Sequence, residues 1–291
     1  MTPQYATVAE LRRAISTEFL IALGLPRTSA LHTLLRPLVW LPAQRFSRLA
    51  AELDRRVAQF GPTLAARWVL PHFVDGVRSY GIEQVPTTGP LIIASNHPGG
   101  ADGLALVSVV DRNDIKIVVS SIPFLRGMRA SARHFIYTTR DAHERMTVVR
   151  ESVRHLREGG TVLIFAKGQV EPDPAVLPGA RESLEHWSPS LSLLLRQVPD
   201  ATLLVAIVSG VLAPSCFRHP LARLRKEQQP RQLLAEFLQI TQQMLLGRRF
   251  GLSPAVRFAA PLTAAELGGA RDKQATLAAI SARARDLMAR L

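Results

Sequence analysis

From Val77 onward, short apolar β-prone runs alternate with helical stretches, and this alternation limits the fold more than any other feature of the chain. PLIIASN (90–96), DIKIVVSS (114–121), HFIYTT (134–139), TVLIFA (161–166) and ATLLVAIVSG (201–210) read as strands, and AHERMTVVRESVRHLREG (142–159) reads as a helix between two of them. Such a sequence predicts an α/β fold with a mostly parallel or mixed central sheet flanked by helices. VRFAAPL (256–262) reads as a last strand, and a C-terminal helix follows to Leu291. Residues 221–254 read as a polar, amphipathic helical insertion with basic clusters at Arg223, Arg225, Lys226 and at Arg248, Arg249. Neither a Walker-type phosphate loop nor a dinucleotide fingerprint is found.

Residues 1–75 have a different pattern, an N-terminal amphipathic helical region set apart from the α/β domain at 76–291. In RFSRLAAELDRRVAQFG, the residues Phe46, Leu49, Ala50, Leu53, Val57 and Phe60 recur at steps of three and four, with Arg48, Arg55 and Arg56 off that stripe. Upstream, apolar pieces are punctuated by Pro26, Pro37 and Pro42. Leucines, Trp40, phenylalanines and arginines together suit a membrane-interface helix, with the apolar face among acyl chains and guanidinium groups at phosphates. An ordinary helix packed on its own domain has the same pattern. The chain carries 36 Lys and Arg against 23 Asp and Glu, a net charge of +13. That excess suits an anionic partner. With aromatics at only 6% there is little to stack on bases, so a membrane surface is favoured over nucleic acid. MTPQYATVAELRRAIS places acids and arginines before any apolar run and does not read as a secretory signal. ATLLVAIVSGVLAPSCF (201–217) reads as a buried strand and its exit loop and not as a membrane span. The single Cys216 leaves no intrachain disulfide and no cysteine-cluster metal site.

LIIASNHPGGADG (91–103) combines an apolar run with a histidine, two glycines and an aspartate. Across such a turn the Asp102 carboxylate can accept a hydrogen bond from one ring nitrogen of His97. The other nitrogen is then a base aimed out of the strand end, where open α/β sheets place their sites. No serine lies between the two, so the pair suits deprotonation of a substrate hydroxyl better than activation of a protein nucleophile. The other reading is that Asp102 caps a helix starting near Ala101 and His97 bonds to backbone.

NHPGGADG resembles the N-H-x4-D block of the glycerolipid acyltransferases, typified by lysophosphatidate (1-acylglycerol-3-phosphate) acyltransferase, and the lead-in GIEQVPTTGPLIIASN has the same rhythm. The resemblance spans roughly residues 76–262. It implies His97 as general base on an acceptor hydroxyl and Asp102 as its orienter. The neighbouring Asn96, Gly99 and Gly100 belong to the binding machinery. In HFIYTTRD, Arg140 takes the place of the family arginine that helps hold the acceptor phosphate, although Thr139 stands where an Asp is usual. The third family block, Phe-Pro-Glu-Gly-Thr-Arg-Ser, is divergent: FAKGQVE keeps Phe165 and Gly168, with Lys167 for the glutamate and Val170 for the arginine. Lys167 and Gly168 are carried over as acceptor-binding residues, with backbone amides near Gly99, Gly100 or Gly168 as donors to the oxyanion. Glu171 and Asp173 in EPDP read as solvated loop charges.

The resemblance thus implies an O-acyltransferase of phospholipid biosynthesis that moves a fatty acyl group from acyl-CoA or acyl-ACP to a lysophospholipid, 1-acylglycerol-3-phosphate first. It implies no metal and no bound organic cofactor, an anionic membrane surface as partner, and a peripheral, monotopic place on the cytoplasmic face. The altered third block keeps open glycerol-3-phosphate or a lyso-ornithine or other aminolipid as acceptor. A non-catalytic membrane-binding module of the same fold is the remaining alternative.

Overall fold

The computed structural model describes residues 7–25, 30–138 and 142–291, with side chains at all of these except 30, 32, 33 and 142–145. The strands are β1 (Arg78–Tyr80), β2 (Leu91–Ser95), β3 (Ile115–Ser120), β4 (Phe135–Thr138), β5 (Thr161–Phe165), β6 (Thr202–Ser209), β7 (Ala255–Phe258) and β8 (Leu262–Thr263). They form one sheet in the order β1-β7-β6-β2-β5-β3-β4, with β8 paired to β6. From β6 to β4 every pairing is parallel, while β7 and β8 run antiparallel to β6. The expected mixed α/β sheet is therefore present. The sequence reading missed β1, a fully exposed three-residue edge strand.

Strands β2 and β6 sit mid-sheet and are apolar along most of their length because both faces are covered. On one face Ile92, Ala94, Val162, Leu203 and Val205 pack against α4 (Ala142–Arg157), α5 (Ser190–Gln197) and α7 (Lys273–Met288). On the other, Leu91, Ile93, Leu163, Leu204 and Ala206 meet Leu106 and Val110 of α3 (Asp102–Val110). Alternate residues of each strand serve alternate layers, as the pleat requires.

The N-terminal region is two helices, α1 (Val8–Ala22) and α2 (Ala30–Val69). Among the described residues no helix is long and apolar enough to cross a membrane. Pro37 and Pro42, read as punctuation, lie inside α2. Each removes one backbone hydrogen bond, but the buried line Val39, Ala43, Ser47 and Ala50 keeps the helix continuous by packing. Pro26 lies outside the described residues. The real break is at Gly61, whose φ of 80° only glycine adopts readily, with Pro62 after it. A Cβ there would also meet Asn113 Oδ1 at 2.5 Å. Because the register ends at that break, Phe60 is exposed and does not continue the stripe of Phe46, Leu49, Leu53 and Val57.

The insertion at 221–254 centres on α6 (Gln228–Leu246), whose Leu234, Ala235 and Phe237 share a core cluster with Leu11, Ile15 and Phe19 of α1 and Ala43 and Ala50 of α2. Helix α6 lies over the carboxyl ends of the parallel strands and joins their loops. Gln232 Nε2 donates to Pro98 O and Glu171 O, Gln239 spans Ala213 N and Val211 O, and Gln243 donates to Phe73 O.

The same strand ends are held by Asp173, which is fully buried and not a solvated loop charge as the sequence suggested. Its Oδ1 accepts from Ala175 N and Gly210 N, and its Oδ2 from Val211 N and Leu212 N, all at 2.8–3.0 Å. Asp173→Ala should cost on the order of 3 kcal/mol in chemical denaturation, because buried donors lose their acceptor. Asp173→Asn should also destabilise, since either flip turns an NH2 group against two N–H donors; a fully stable Asn variant would contradict this account.

Candidate active site

The site is built where β2, β5 and β6 end together. Ser95 is in register with Phe165 of β5 and Ala206 of β6. Asn96 follows with its side chain turned sideways: Nδ2 donates to Val208 O at 2.9 Å and Oδ1 accepts from Val208 N at 2.8 Å. It extends the β2–β6 ladder by one step and so aims the next residue. Asn96 is fully buried and is a structural hinge-pin of the site.

His97 leaves the sheet at that point, its ring stacked on Phe165 with centroids 4.2 Å apart and planes 25° from parallel. Its Nδ1 lies 2.7 Å from Asp102 Oδ2. That oxygen also accepts from Gly99 N at 3.0 Å, and Asp102 opens α3, where the helix dipole favours negative charge. An N–H on Nδ1, assigned from this hydrogen bond, leaves Nε2 with its lone pair. The geometry selects the dyad and sets aside the reading in which His97 serves only the backbone.

Glu171 grips the peptide of His97 from the far side. Its N donates to His97 O at 2.7 Å, and its Oε2 accepts from His97 N at 3.0 Å. Its Oε1 takes Ser183 Oγ and Trp187 Nε1. Only 1% exposed, Glu171 is again not the solvated charge the sequence suggested. Its position, two residues before Asp173 in a loop returning to the strand ends, gave no local signal of this.

Burial raises the carboxyl of Glu171 above its ordinary range against those three hydrogen bonds. Burial disfavours the imidazolium of His97. The charge and hydrogen bond of Asp102, chief among the neighbouring carboxylates, outweigh it and raise His97 above its ordinary value.

The remaining sequence candidates fall in different places. The amides of Gly99, Gly100 and Gly168 all have acceptors within the protein: Asp102 Oδ2, Glu236 Oε2 and Phe165 O. In the structure as it stands none of the three is a free oxyanion donor, because the turns that carry them use their own N–H groups. Lys167 Nζ donates to Ser183 Oγ at 3.0 Å, facing Glu171, and Lys167 does not line the cavity beside His97. Arg140 lies outside the described residues.

That cavity holds about 620 Å³. Phe19 of α1, Phe46 and Leu53 of α2, Leu104 of α3 and Ile117 of β3 line it together with His97. The stripe seen in residues 46–57 thus faces a hollow rather than a solid core, which is why Phe46, Leu49 and Leu53 are only half-buried. Glu236 of α6 lines the same cavity, more than 130 residues from His97 in sequence and invisible to local motif reading. The available signal was the polar series Gln232, Glu236, Gln239 and Gln243, spaced four, three and four on an otherwise apolar face.

The dyad yields a direct prediction. In Asp102→Asn the carboxylate's charge is gone, so the His97 titration followed by NMR should move down from that of wild type. A midpoint unchanged from wild type would mean that Asp102 does not govern the imidazole.

Residues 76–188 match the family model described as Acyltransferase, a span that contains the dyad, Phe165 and Glu171. No curated protein sequence matches the chain significantly. Among solved structures, the chain is similar to that of a 1-acyl-sn-glycerophosphate (LPA) acyltransferase, PlsC, from Thermotoga maritima. Identity is 14%, over 96% of this chain and 97% of that one, at a TM-score of 0.44. The match to the Acyltransferase model over residues 76–188 is in line with the glycerolipid acyltransferase resemblance of the sequence.

Proposed function

We propose that the chain is an O-acyltransferase carrying a fatty acyl group from an acyl-CoA or acyl-ACP thioester to the hydroxyl of a lysophospholipid, with 1-acylglycerol-3-phosphate first among acceptors. The observation that carries this reading is a His97–Asp102 pair opening onto an apolar cavity of about 620 Å³. The cavity gives a hydrocarbon chain a dry place beside a base.

His97 Nε2 takes the proton of the acceptor hydroxyl as the oxygen attacks the thioester carbonyl. Asp102 keeps Nδ1–H in place and offsets the charge of the imidazolium. The tetrahedral oxyanion collapses, the C–S bond breaks, and the leaving thiolate recovers the proton from His97. The transfer needs no reactant beyond the two substrates.

A peripheral place on an anionic membrane is supported by the outward face of α2. Leu31, Leu34, Leu38 and Leu41 lie at helical spacing and are exposed, Leu34 by 70% and Leu38 by 74%. Trp40 is exposed beside them with the guanidinium of Arg12 over its ring, and Arg36 faces solvent. One observation favours a second acceptor class: the divergent Lys167 turns to Ser183, leaving the third block without a charge aimed at the cavity. Glycerol-3-phosphate and lyso-ornithine lipid therefore belong beside lysophosphatidate in a competition assay.

Wild type should transfer palmitate from a labelled thioester to lysophosphatidate in detergent micelles. His97→Ala should lower that rate on the order of 10²–10⁴-fold. A wild type silent with all three acceptors and both thioester carriers would refute the activity. Separately, the double variant Leu34→Glu, Leu38→Glu should lose sedimentation with anionic vesicles while keeping its fold, since both side chains are exposed; undiminished binding would move the membrane contact elsewhere.

A further inference from the structure

Helix α6 places four polar side chains against the loops of the site, and three are amides. Gln232, Gln239 and Gln243 each bond backbone groups with no net charge. The fourth is Glu236. Its Oε2 accepts from Gly100 N at 3.2 Å, a bond a glutamine would make equally well. Its Oε1 is closed to solvent and has no hydrogen-bond partner. A Cβ on Gly99 would stand 3.1 Å from the same carboxyl, so the turn and the acid are packed face to face.

We propose that Glu236 is a positioning residue of the acyl-transfer site: as a neutral acid it ties the Gly99–Gly100 turn to α6 and keeps a third negative charge away from His97 while His97 acts as base. The inference rests on the reading of His97 as that base. An ionised Glu236 would leave Oε1 as an unpaired buried charge, the arrangement proteins avoid most consistently. It would join Asp102 and Glu171, two carboxylates already acting on the imidazole, and hold the proton on His97. It would also set negative charge beside the thioester carbonyl as that carbonyl becomes an oxyanion.

The groups facing this point are His97 and Asp102 from the β2–α3 turn and Glu171 from the loop after β5. Glu18 of α1 and His134 before β4 are on the same cavity wall, and α2 presents apolar side chains there. Against them, burial pushes the Glu236 carboxyl up to about 8, with the charge of His97 and the nearby Gly100 and Gln232 N–H groups pulling down and the charge of Asp102 pushing further up. The proposal thus has the acid neutral below that pH and ionised above it.

Two measurements on the full chain test this. The first needs no acceptor: the side-chain carboxyl of Glu236, followed by carbon-13 NMR in glutamate-labelled protein and assigned with Glu236→Gln, should have the shift of a protonated acid at about pH 6 and titrate near 8. An ionised shift at about pH 6 overturns the proposal even if the protein transfers no acyl group, and thus separates this failure from failure of the activity. The second is the pH profile of kcat/KM. Wild type should decline above about 8, and Glu236→Gln should lose that alkaline limb. Glu236→Ala, which cuts the tie to Gly100, should run on the order of tenfold slower than Glu236→Gln at neutral pH. A Gln variant that keeps the alkaline limb, or is as slow as the Ala variant, overturns the proposal.

Discussion

Three buried strands end side by side, and the buried polar groups that follow them must find their partners inside the protein. The loops at the ends of β2, β5 and β6 are held by side chains sent from a distance. Asn96 closes the ladder to β6, Asp173 gathers four amides, Glu171 clasps the peptide of His97, and α6 lays a row of amides across Pro98, Val211 and Ala213. His97 is aimed because these neighbours leave its backbone little freedom. The reactive geometry follows from satisfying buried hydrogen bonds.

The same accounting explains what could be read in the sequence. The strands announced themselves through apolar runs, and the dyad through a histidine and an aspartate flanking two glycines at the end of one of them. Both are local patterns. Glu171, Asp173 and Glu236 were misread or unnoticed because their roles are set by residues between 37 and about 140 positions away. A carboxylate in a Pro-rich loop looks solvated until the fold shows four amides converging on it. Likewise, the stripe of Phe46, Leu49 and Leu53 says that a helix has an apolar face; it does not say that the face borders a cavity. The prolines of α2 misled for the opposite reason, since a local rule for helix breaking was overridden by tertiary packing.

The electrostatics of the site are unusually one-sided for a chain of net charge +13. Around His97 the fold assembles three acids, Asp102, Glu171 and Glu236, while Lys167, the cation of the third block, is spent on Ser183. Among the described residues no arginine or lysine lines this pocket, while arginines stand along α2 beside exposed leucines. On the proposed function, charge at the surface and charge at His97 would answer to different demands: attraction to an anionic layer outside, and control of one proton within.

Phe165 adds a constraint of its own. A ring packed against one face of the imidazole at 4.2 Å works with the Asp102 bond to Nδ1 to hold the histidine in one orientation. The same aromatic face carries a negative quadrupole. A protonated His97 would therefore have a π-surface against one face in place of a hydration shell, supplied by a side chain that cannot itself accept or release a proton.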